Sequence, residues 1–294
     1  MEQELVGIIG GTGLGDALAE HITDAKLCDM DTPFGRPSTA ILVGRFGNRQ
    51  VAFLNRHGEG HQLSPSEVPF AANIFALKKL GVRAIISSGA VGSLRQEIAP
   101  RDLVIADQFI DKTIGRTNTF FGGYGAVHCE MAEPVCQRIR KTLINTAKGM
   151  DIKAHPKGTY VCMEGPQFST RAESVMHRCW GGDLIGMTAM PEAKLAREAQ
   201  ICYALVALAS DYDCWSAPEK NEEGKNKQTL LKEIMTNLKA ATDNCLKLVE
   251  AVLKSDSELV SEDCDCRHSL DLAVWTEKGR IEAADKKKLK VLFE

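Results

Sequence analysis

Leu5-Val6-Gly7-Ile8-Ile9-Gly10-Gly11-Thr12-Gly13 is the stretch from which the fold can be read. A short, unbroken apolar run closed by glycines suits a strand buried on both faces that feeds a tight turn. Working outward, the same pattern returns at Val51-Ala52-Phe53-Leu54, at Val82 to Ile86 before Ser87-Ser88-Gly89-Ala90, at Leu103-Val104-Ile105-Ala106, at Thr159-Tyr160-Val161-Cys162-Met163 and at Cys202 to Ala209. Helical spacings fall between these runs. They cover Phe70 to Leu80, stopping at Gly81, then Pro134 to Met150, then a segment to about Trp180 opened by the capping box Thr170-Arg171-Ala172-Glu173. Pro191, at a first-turn position, opens a further helix from Glu192 to Gln200. Strands and helices that alternate in this way predict a single α/β domain with a mostly parallel or mixed central sheet flanked by helices. Ligands in such sheets sit beyond the carboxyl ends of the strands.

From Thr229 to Lys254 the apolar residues form the stripe of a long amphipathic helix, while Ser216 to Gln228 is charged and reads as a surface loop able to act as a lid. The chain therefore divides into a main domain, 1–254, and a C-terminal extension, 255–294. The extension begins with an acidic linker, Ser255 to Asp265, and ends in a weakly helical tail with Lys286-Lys287-Lys288 on a solvated face. With 294 residues, 44% of them hydrophobic, the chain can bury roughly 75% of its unfolded surface. Lys and Arg number 36 against 39 Asp and Glu, a net charge of −3, which disfavours nucleic acid or an anionic membrane as partner. No run approaches the ~18 to 20 apolar residues that span a bilayer. The acidic start Met1-Glu2-Gln3-Glu4 is unlike a secretory signal, so a cytoplasmic protein is expected.

Ten cysteines, mostly in apolar runs such as those around Cys162, Cys179, Cys202 and Cys245, suit reduced core thiols. Cys264-Asp265-Cys266 stands apart. It is not a CxxC, and no second CxxC exists to complete four ligands. With His268 close by, it leaves three readings open: part of a metal site, a clip between the two sulfurs, or plain thiols.

The strand ends carry Gly10-Gly11-Thr12-Gly13, Arg56-His57-Gly58, Ser88-Gly89-Ala90, Glu164-Gly165-Pro166-Gln167-Phe168, Gly186-Met187-Thr188 and Asp211-Tyr212-Asp213. Glycines that let backbone N–H groups approach, hydroxyls, a guanidinium and an imidazole together suit an oxyanion. The GxxxxGK[ST] spacing is missing, and GGTGLG does not fit GxGxxG, which disfavours nucleoside triphosphates and dinucleotides. Blander readings stand beside this one. The glycines could close a βα turn, Arg56 could be a surface cation beside a core His57, and Asp211 and Asp213 could cap a helix or form a loop salt bridge.

Those segments, with Asp31-Thr32-Pro33-Phe34-Gly35, Glu164-Gly165-Pro166-x-Phe168-Ser169-Thr170, Met187-Thr188-x-x-Pro191-Glu192 and Ser210-Asp211-Tyr212-Asp213-Cys214-Trp215, resemble the trimeric purine nucleoside phosphorylases, and within them the 5′-methylthioadenosine phosphorylase branch. The resemblance covers about residues 5 to 254. It implies a homotrimer or a dimer of trimers that uses inorganic phosphate as co-substrate, with no metal and no organic cofactor. Carried over residue by residue, Thr12, Arg56, His57, Ala90 and Thr188 would hold phosphate. Met187 would orient the ribose, while Phe168 and Ile185 would flank the purine. Asp211 would protonate the leaving base, helped by Asp213, which would read the exocyclic amine. His61 would line the 5′ end of the sugar, and His128 would reach in from a neighbouring subunit.

Two departures accompany the match. At Gly89 the family commonly has a hydroxyl residue, so one phosphate or ribose donor is missing. At Gly186 the branch commonly has Asn, whose loss is expected to open space beside the base. The alternatives left are phosphorolysis of adenosine, methylthioinosine or a 6-oxopurine nucleoside, and a non-catalytic homologue that binds purine or phosphate.

Overall fold

Leu5–Gly10 forms β1, buried along its whole length. The computed structural model describes residues 4–11, 18, 21–216 and 227–294, without the side chains of 227 and 278. Strands β2 (Thr23–Cys28), β3 (Ile41–Phe46) and β4 (Arg49–Asn55) follow, then helix α1 (Phe70–Lys79) and strands β5 (Val82–Ser93), β6 (Leu103–Ile105) and β7 (Gln108–Asp111). Next come α2 (Gln137–Lys148), β8 (Ala154–His155), β9 (Thr159–Cys162), α3 (Arg171–Cys179), β10 (Leu184–Gly186), α4 (Ala189–Glu198) and β11 (Cys202–Asp211). The long α5 (Lys227–Lys254) and the short α6 (Ala283–Lys288) follow, and four short 3-10 turns complete the helical structure among the described residues.

The strands join in one mixed sheet ordered β2-β3-β4-β1-β5-β10-β9-β7, with β11 also paired to β5 and to β6, and β6 to β8. β1 runs parallel to both β4 and β5, and β5 is parallel to β11. β5 is the branch point. After its parallel stretch, Gly92 and Ser93 pair antiparallel with β10. The glycine-containing segment Ser87 to Ala90, expected as the end of a strand, therefore lies inside one. Ser88, Gly89 and Ala90 are held in register with Val206, Ala207 and Leu208 of β11. The short strands β7, β8 and β10 were not legible as apolar runs, and neither was the exposed edge strand β2.

The unbroken apolar runs are explained by two covered faces. Leu5 and Ile9 point into a core with α1, α4 and the chain's end, whereas Val6 and Ile8 point into a second core with α2 and α5. The period-2 alternation of a strand makes every position apolar when both faces are dry. β11 repeats this, with Tyr203, Leu205 and Ala207 on one side and Ala204 and Val206 on the other. The extension joins both cores: Leu259, Val260 and Cys266 enter the second, Leu270, Ile281 and Leu292 the first. Arg49 ties it down by donating to the carbonyls of Leu253 (3.1 Å) and Ser255 (2.8 Å).

The capping box forms as expected, with Glu173 N donating to Thr170 Oγ1 at 3.2 Å and Thr170 N to Glu173 Oε2 at 2.7 Å. Other details differ. Cys179 is exposed at the end of α3 rather than within a core. Met190 breaks α4 with extended backbone (φ −117°, ψ 136°). The stripe on α5 buries only its later part: Ala241, Cys245, Leu248, Val249 and Val252 are covered, while Leu230, Leu231 and Met235 are exposed. Residues 217–226 of the expected lid lie outside the described residues.

Because Leu248 is fully buried between α5 and the sheet, Leu248→Ala is expected to cost ~2 to 5 kcal/mol from lost burial and the cavity left behind. Urea unfolding of the variant against wild type measures it.

Candidate active site

β1, β4 and β5 bring the oxyanion residues together. Arg56 N donates to the Gly10 carbonyl at 3.1 Å, fixing the residue that follows β4 against the end of β1. The Arg56 side chain is fully buried, so it is not a surface cation. Its Nε and Nη2 donate to the two carboxylate oxygens of Glu192 at 2.7 and 3.1 Å, its Nη1 to the Ser88 carbonyl at 2.9 Å, and its Nη2 also to Ser87 Oγ at 2.7 Å. Ser87 Oγ (2.6 Å) and the Tyr203 hydroxyl (2.8 Å) donate in turn to Glu192 Oε1. Burial works against the Arg56 cation, but the Glu192 carboxylate outweighs it and holds the guanidinium above its ordinary pKa.

A guanidinium has five N–H donors, and these contacts take four. The fifth is on Nη1, which lies 3.4 Å from where a Cβ on Gly11 would sit. Gly11 thus allows the chain to pass over the end of the guanidinium. A Cβ on Gly89 would lie 3.2 Å from Thr188 Oγ1, so a side chain at 89 would press against the threonine hydroxyl. The donor absent at Gly89 has Thr188 as its neighbour. Ala90, next in β5, is exposed. Thr12 lies outside the described residues.

His57 is buried, and its Nδ1 is 2.9 Å from the Leu63 carbonyl. A carbonyl only accepts, so Nδ1 carries the proton. Burial, and next the Arg56 cation, push the imidazole pKa down to about 4. His57 is therefore neutral near pH 7 and offers Nε2 as an acceptor, suited to a protonated phosphate oxygen. His61 stacks on it with ring centroids 4.3 Å apart.

The carboxylate pair gathers around Gly92. A Cβ there would lie 3.0 Å from Ile185 Cγ2, 3.1 Å from Asp213 Cβ and 3.3 Å from Asp211 Oδ1. Asp211 ends β11 and accepts a 2.6 Å hydrogen bond from Ser210 Oγ. Burial raises its pKa, Asp213 raises it further, and Ser210 opposes both. Asp213 Oδ2 is buried without a hydrogen-bond partner, a carboxylate oxygen with acceptor capacity to spare. Neither carboxylate caps a helix.

Met187 follows β10. Its carbonyl accepts from Arg116 Nη1 at 2.7 Å, and its Sδ lies 2.7 Å from where a Cβ on Gly165 would sit. Phe168 is not gathered into this group, being 84% exposed on the loop before α3. Nor is His128, whose N donates to the Ala273 carbonyl at 2.9 Å and whose ring packs edge-on to Trp275 of the extension.

The expectation of open space at Gly186 is overturned. A Cβ there would lie 2.0 Å from the buried Tyr160 hydroxyl, which accepts from Thr188 N at 3.3 Å. The tyrosine fills the space, and by its hydrogen bond it orients Thr188. Sequence reasoning also passed over Glu192, although it stands in the quoted Pro191-Glu192, and Arg116. Arg116 donates to the carbonyls of Met187, Met190 and Glu164 and lies 3.2 Å from the Glu164 carboxylate. A buried arginine demands an anion, which was the available signal for Glu192.

The arrangement sets a buried guanidinium, a neutral imidazole and a threonine hydroxyl near a pair of carboxylates at the strand ends of one mixed α/β sheet. The chain belongs to the phosphorylase superfamily, whose family model matches residues 5–254. It is 43% identical to the S-methyl-5′-thioadenosine phosphorylase of Gloeobacter violaceus, over 99% of this chain and 95% of that one. It is equally 43% identical to the protein of the same name from Geobacter sulfurreducens, over 99% and 98%. Among solved structures, a methylthioadenosine phosphorylase from an antarctic soil metagenomic library superposes with a TM-score of 0.88 at 42% identity, covering all of both chains.

Removing the Glu192 carboxylate leaves the Arg56 cation buried and unpaired. Glu192→Ala is expected to destabilise the protein by ~3 to 5 kcal/mol, read from the shift of the denaturant midpoint.

Proposed function

We propose that this enzyme carries out the phosphorolysis of 5′-methylthioadenosine, releasing adenine and 5-methylthioribose 1-phosphate. The observation that carries the reading is the spacing along β5. Gly89 opens onto Thr188, and Gly92 onto Asp211 and Asp213. Three strand residues span about 10 Å, the reach of one nucleoside with a phosphate against its sugar. The names of the relatives support the same substrate.

In this reading a phosphate oxygen attacks the anomeric carbon as the C1′–N9 bond breaks, and the bonding pair leaves with the purine. Arg56 Nη1, Thr188 Oγ1 and the backbone N–H of Ala90 would donate to phosphate, with Thr12 as a further phosphate residue. His57 Nε2 would accept from it. The Arg56–Glu192 pair is close to neutral, so it would position phosphate without trapping it. The barrier falls because the nucleophile is held near the cationic sugar while charge on the departing base is neutralised. Asp211, made a weaker acid by burial, would give its proton to the five-membered ring of the purine, and Asp213 would take a hydrogen bond from the 6-amino group. The reaction so written needs phosphate and no organic cofactor.

Met187 would pack on the ribose and Ile185 on the base. Phe168 is left in solvent by its own chain, as suits a side chain that folds over a ligand. A homotrimer or a pair of trimers is part of the proposal, with His61 at the 5′ end of the sugar and His128 of one subunit lining the next subunit's site. So is a cytoplasmic setting, which the ten unpaired cysteines suit.

Purified protein incubated with the methylthio nucleoside is expected to release adenine only when phosphate is present. Release without phosphate would make it a hydrolase, and a preference for inosine or guanosine would overturn the assignment of Asp211 and Asp213 to an aminopurine. Asp211→Asn is expected to lower turnover by ~10² to 10⁴-fold with the fold intact by circular dichroism.

The pH profile carries the sign of the shifts. Turnover is expected to fall as pH rises through the raised pKa of Asp211, because the acid form is lost. A second fall is expected as pH drops toward about 4, where His57 gains a proton and Nε2 stops accepting. A rate indifferent to pH on the alkaline side would remove Asp211 as the acid.

A further inference from the structure

Cys136, Cys202, Cys264 and Cys266 meet at one point, with all four Sγ atoms within 4.8 Å of one another. They arrive from separate elements. Cys136 precedes α2, Cys202 opens β11, and Cys264 and Cys266 belong to the single turn around Asp265–His268 in the extension. Three are buried and Cys264 is half-buried. All four sulfurs are unpaired in covalent terms.

The separations are too long for a disulfide and fit a shared metal ion. Cys136 Sγ is 3.8 Å from Cys264 Sγ, and Cys202 Sγ is 3.5 Å from it. A disulfide needs about 2.05 Å. Zinc bound to four thiolates at ~2.3 Å gives a tetrahedron whose edges are about 3.8 Å. We propose that these four cysteines form a structural zinc site that fastens the C-terminal extension to the sheet. Nothing in the catalytic reading uses it. Cys202 and Asp211 stand at opposite ends of β11, nine residues or about 30 Å apart.

The surroundings suit the charge of such a centre. Four thiolates around Zn²⁺ carry two net negative charges, the released protons passing to solvent. Cys136 sits at the start of α2, where helix N–H groups face outward. Arg267, beside Cys266, keeps Nε and Nη1 buried without a hydrogen-bond partner. His268 is not a ligand: its Nδ1 is 3.2 Å from Asp271 Oδ2 and its Nε2 2.9 Å from the Glu262 carbonyl. The closed, all-sulfur donor set leaves no position for substrate, which marks the site as structural.

The test is metal content and cobalt spectroscopy of the full chain, purified without chelating resin. Elemental analysis is expected to find about one zinc per chain. Apoprotein prepared under reducing conditions and titrated with Co²⁺ is expected to develop the thiolate-to-cobalt charge-transfer band and the intense visible bands of tetrahedral sulfur coordination. Cys264→Ser/Cys266→Ser is expected to lose both bands and to hold at least about tenfold less zinc, while phosphorolysis at room temperature persists. If the double variant does not fold, Cys264→Ser alone, altering the half-buried ligand, decides by the same bands.

Three results would overturn the proposal. One is native protein whose intact mass shows these thiols joined as disulfides. Another is wild type that binds cobalt without the charge-transfer band, and the third is a double variant that keeps it. None of these depends on the substrate assignment, so the zinc site and the catalytic reading fail separately.

Discussion

The structure depends on the constraint that β5 must serve two sheets' worth of neighbours along one strand. Its first half is gripped in parallel by β1 and β11, and its last residues turn to pair antiparallel with β10. Between these stretches, from Ser88 to Val91, β5 is paired on the β11 side alone, so its other edge at Gly89 is left open to the Thr188 segment, while Gly92 is paired with both β10 and β11. The missing side chains matter as much as the present ones. At Gly89 the space goes to the Thr188 hydroxyl, and at Gly92 to Ile185, Asp211 and Asp213. The two glycines thereby leave room for the Thr188 hydroxyl and for the Asp211 and Asp213 carboxylates.

Electrostatics at the two ends of that span are opposed in design. On the anion side the charge of Arg56 is already answered by Glu192, itself satisfied by Ser87 and Tyr203. Such a buried pair costs desolvation and adds little net stability, but it fixes a guanidinium edge in place with one N–H to offer. On the other side Asp213 Oδ2 is buried with no partner, and Asp211 has a single hydroxyl donor. Unsatisfied acceptors in a dry site are costly unless a ligand completes them. In the proposed reading the site is thus pre-paired where phosphate would bind and under-paired where a base with N–H donors would bind.

Much of this was legible in the chain. Leu5 to Ile9 and Cys202 to Ala209 announced doubly covered strands because every residue is apolar, and the residues after such strands carried the chemistry. What was not legible was contact between elements. Gly186 read as an opening because a missing side chain suggests space; Tyr160, on a different strand, fills it. Glu192 read as a helix residue because its partner Arg56 lies 136 positions away. The edge strand β2 escaped because exposure removes the apolar signal that reveals buried strands, and β10, although buried, escaped because three residues are too short to form a run. Phe168 and His128 were assigned from resemblance, and both stand away from the pocket in the isolated chain.

The cysteines show the same limit most plainly. Cys264-Asp265-Cys266 offered half a metal site, and no second local motif in the sequence completes it. The other two thiols come instead from the start of a helix and the start of a strand, 128 and 62 residues from Cys264. That placement has a mechanical consequence. The extension is gripped at Cys264 and Cys266 by the end of β11 opposite to Asp211. Farther along, Trp275 N donates to the Ala126 carbonyl at 3.0 Å, and Ala273 accepts from the backbone of His128. The segment bearing His128 is thus braced by the extension, and the extension by the sulfur cluster. A clamp at one end of β11 is in this way joined, through the tail, to the one histidine assigned to a neighbouring subunit's site, without touching the residues that would handle phosphate.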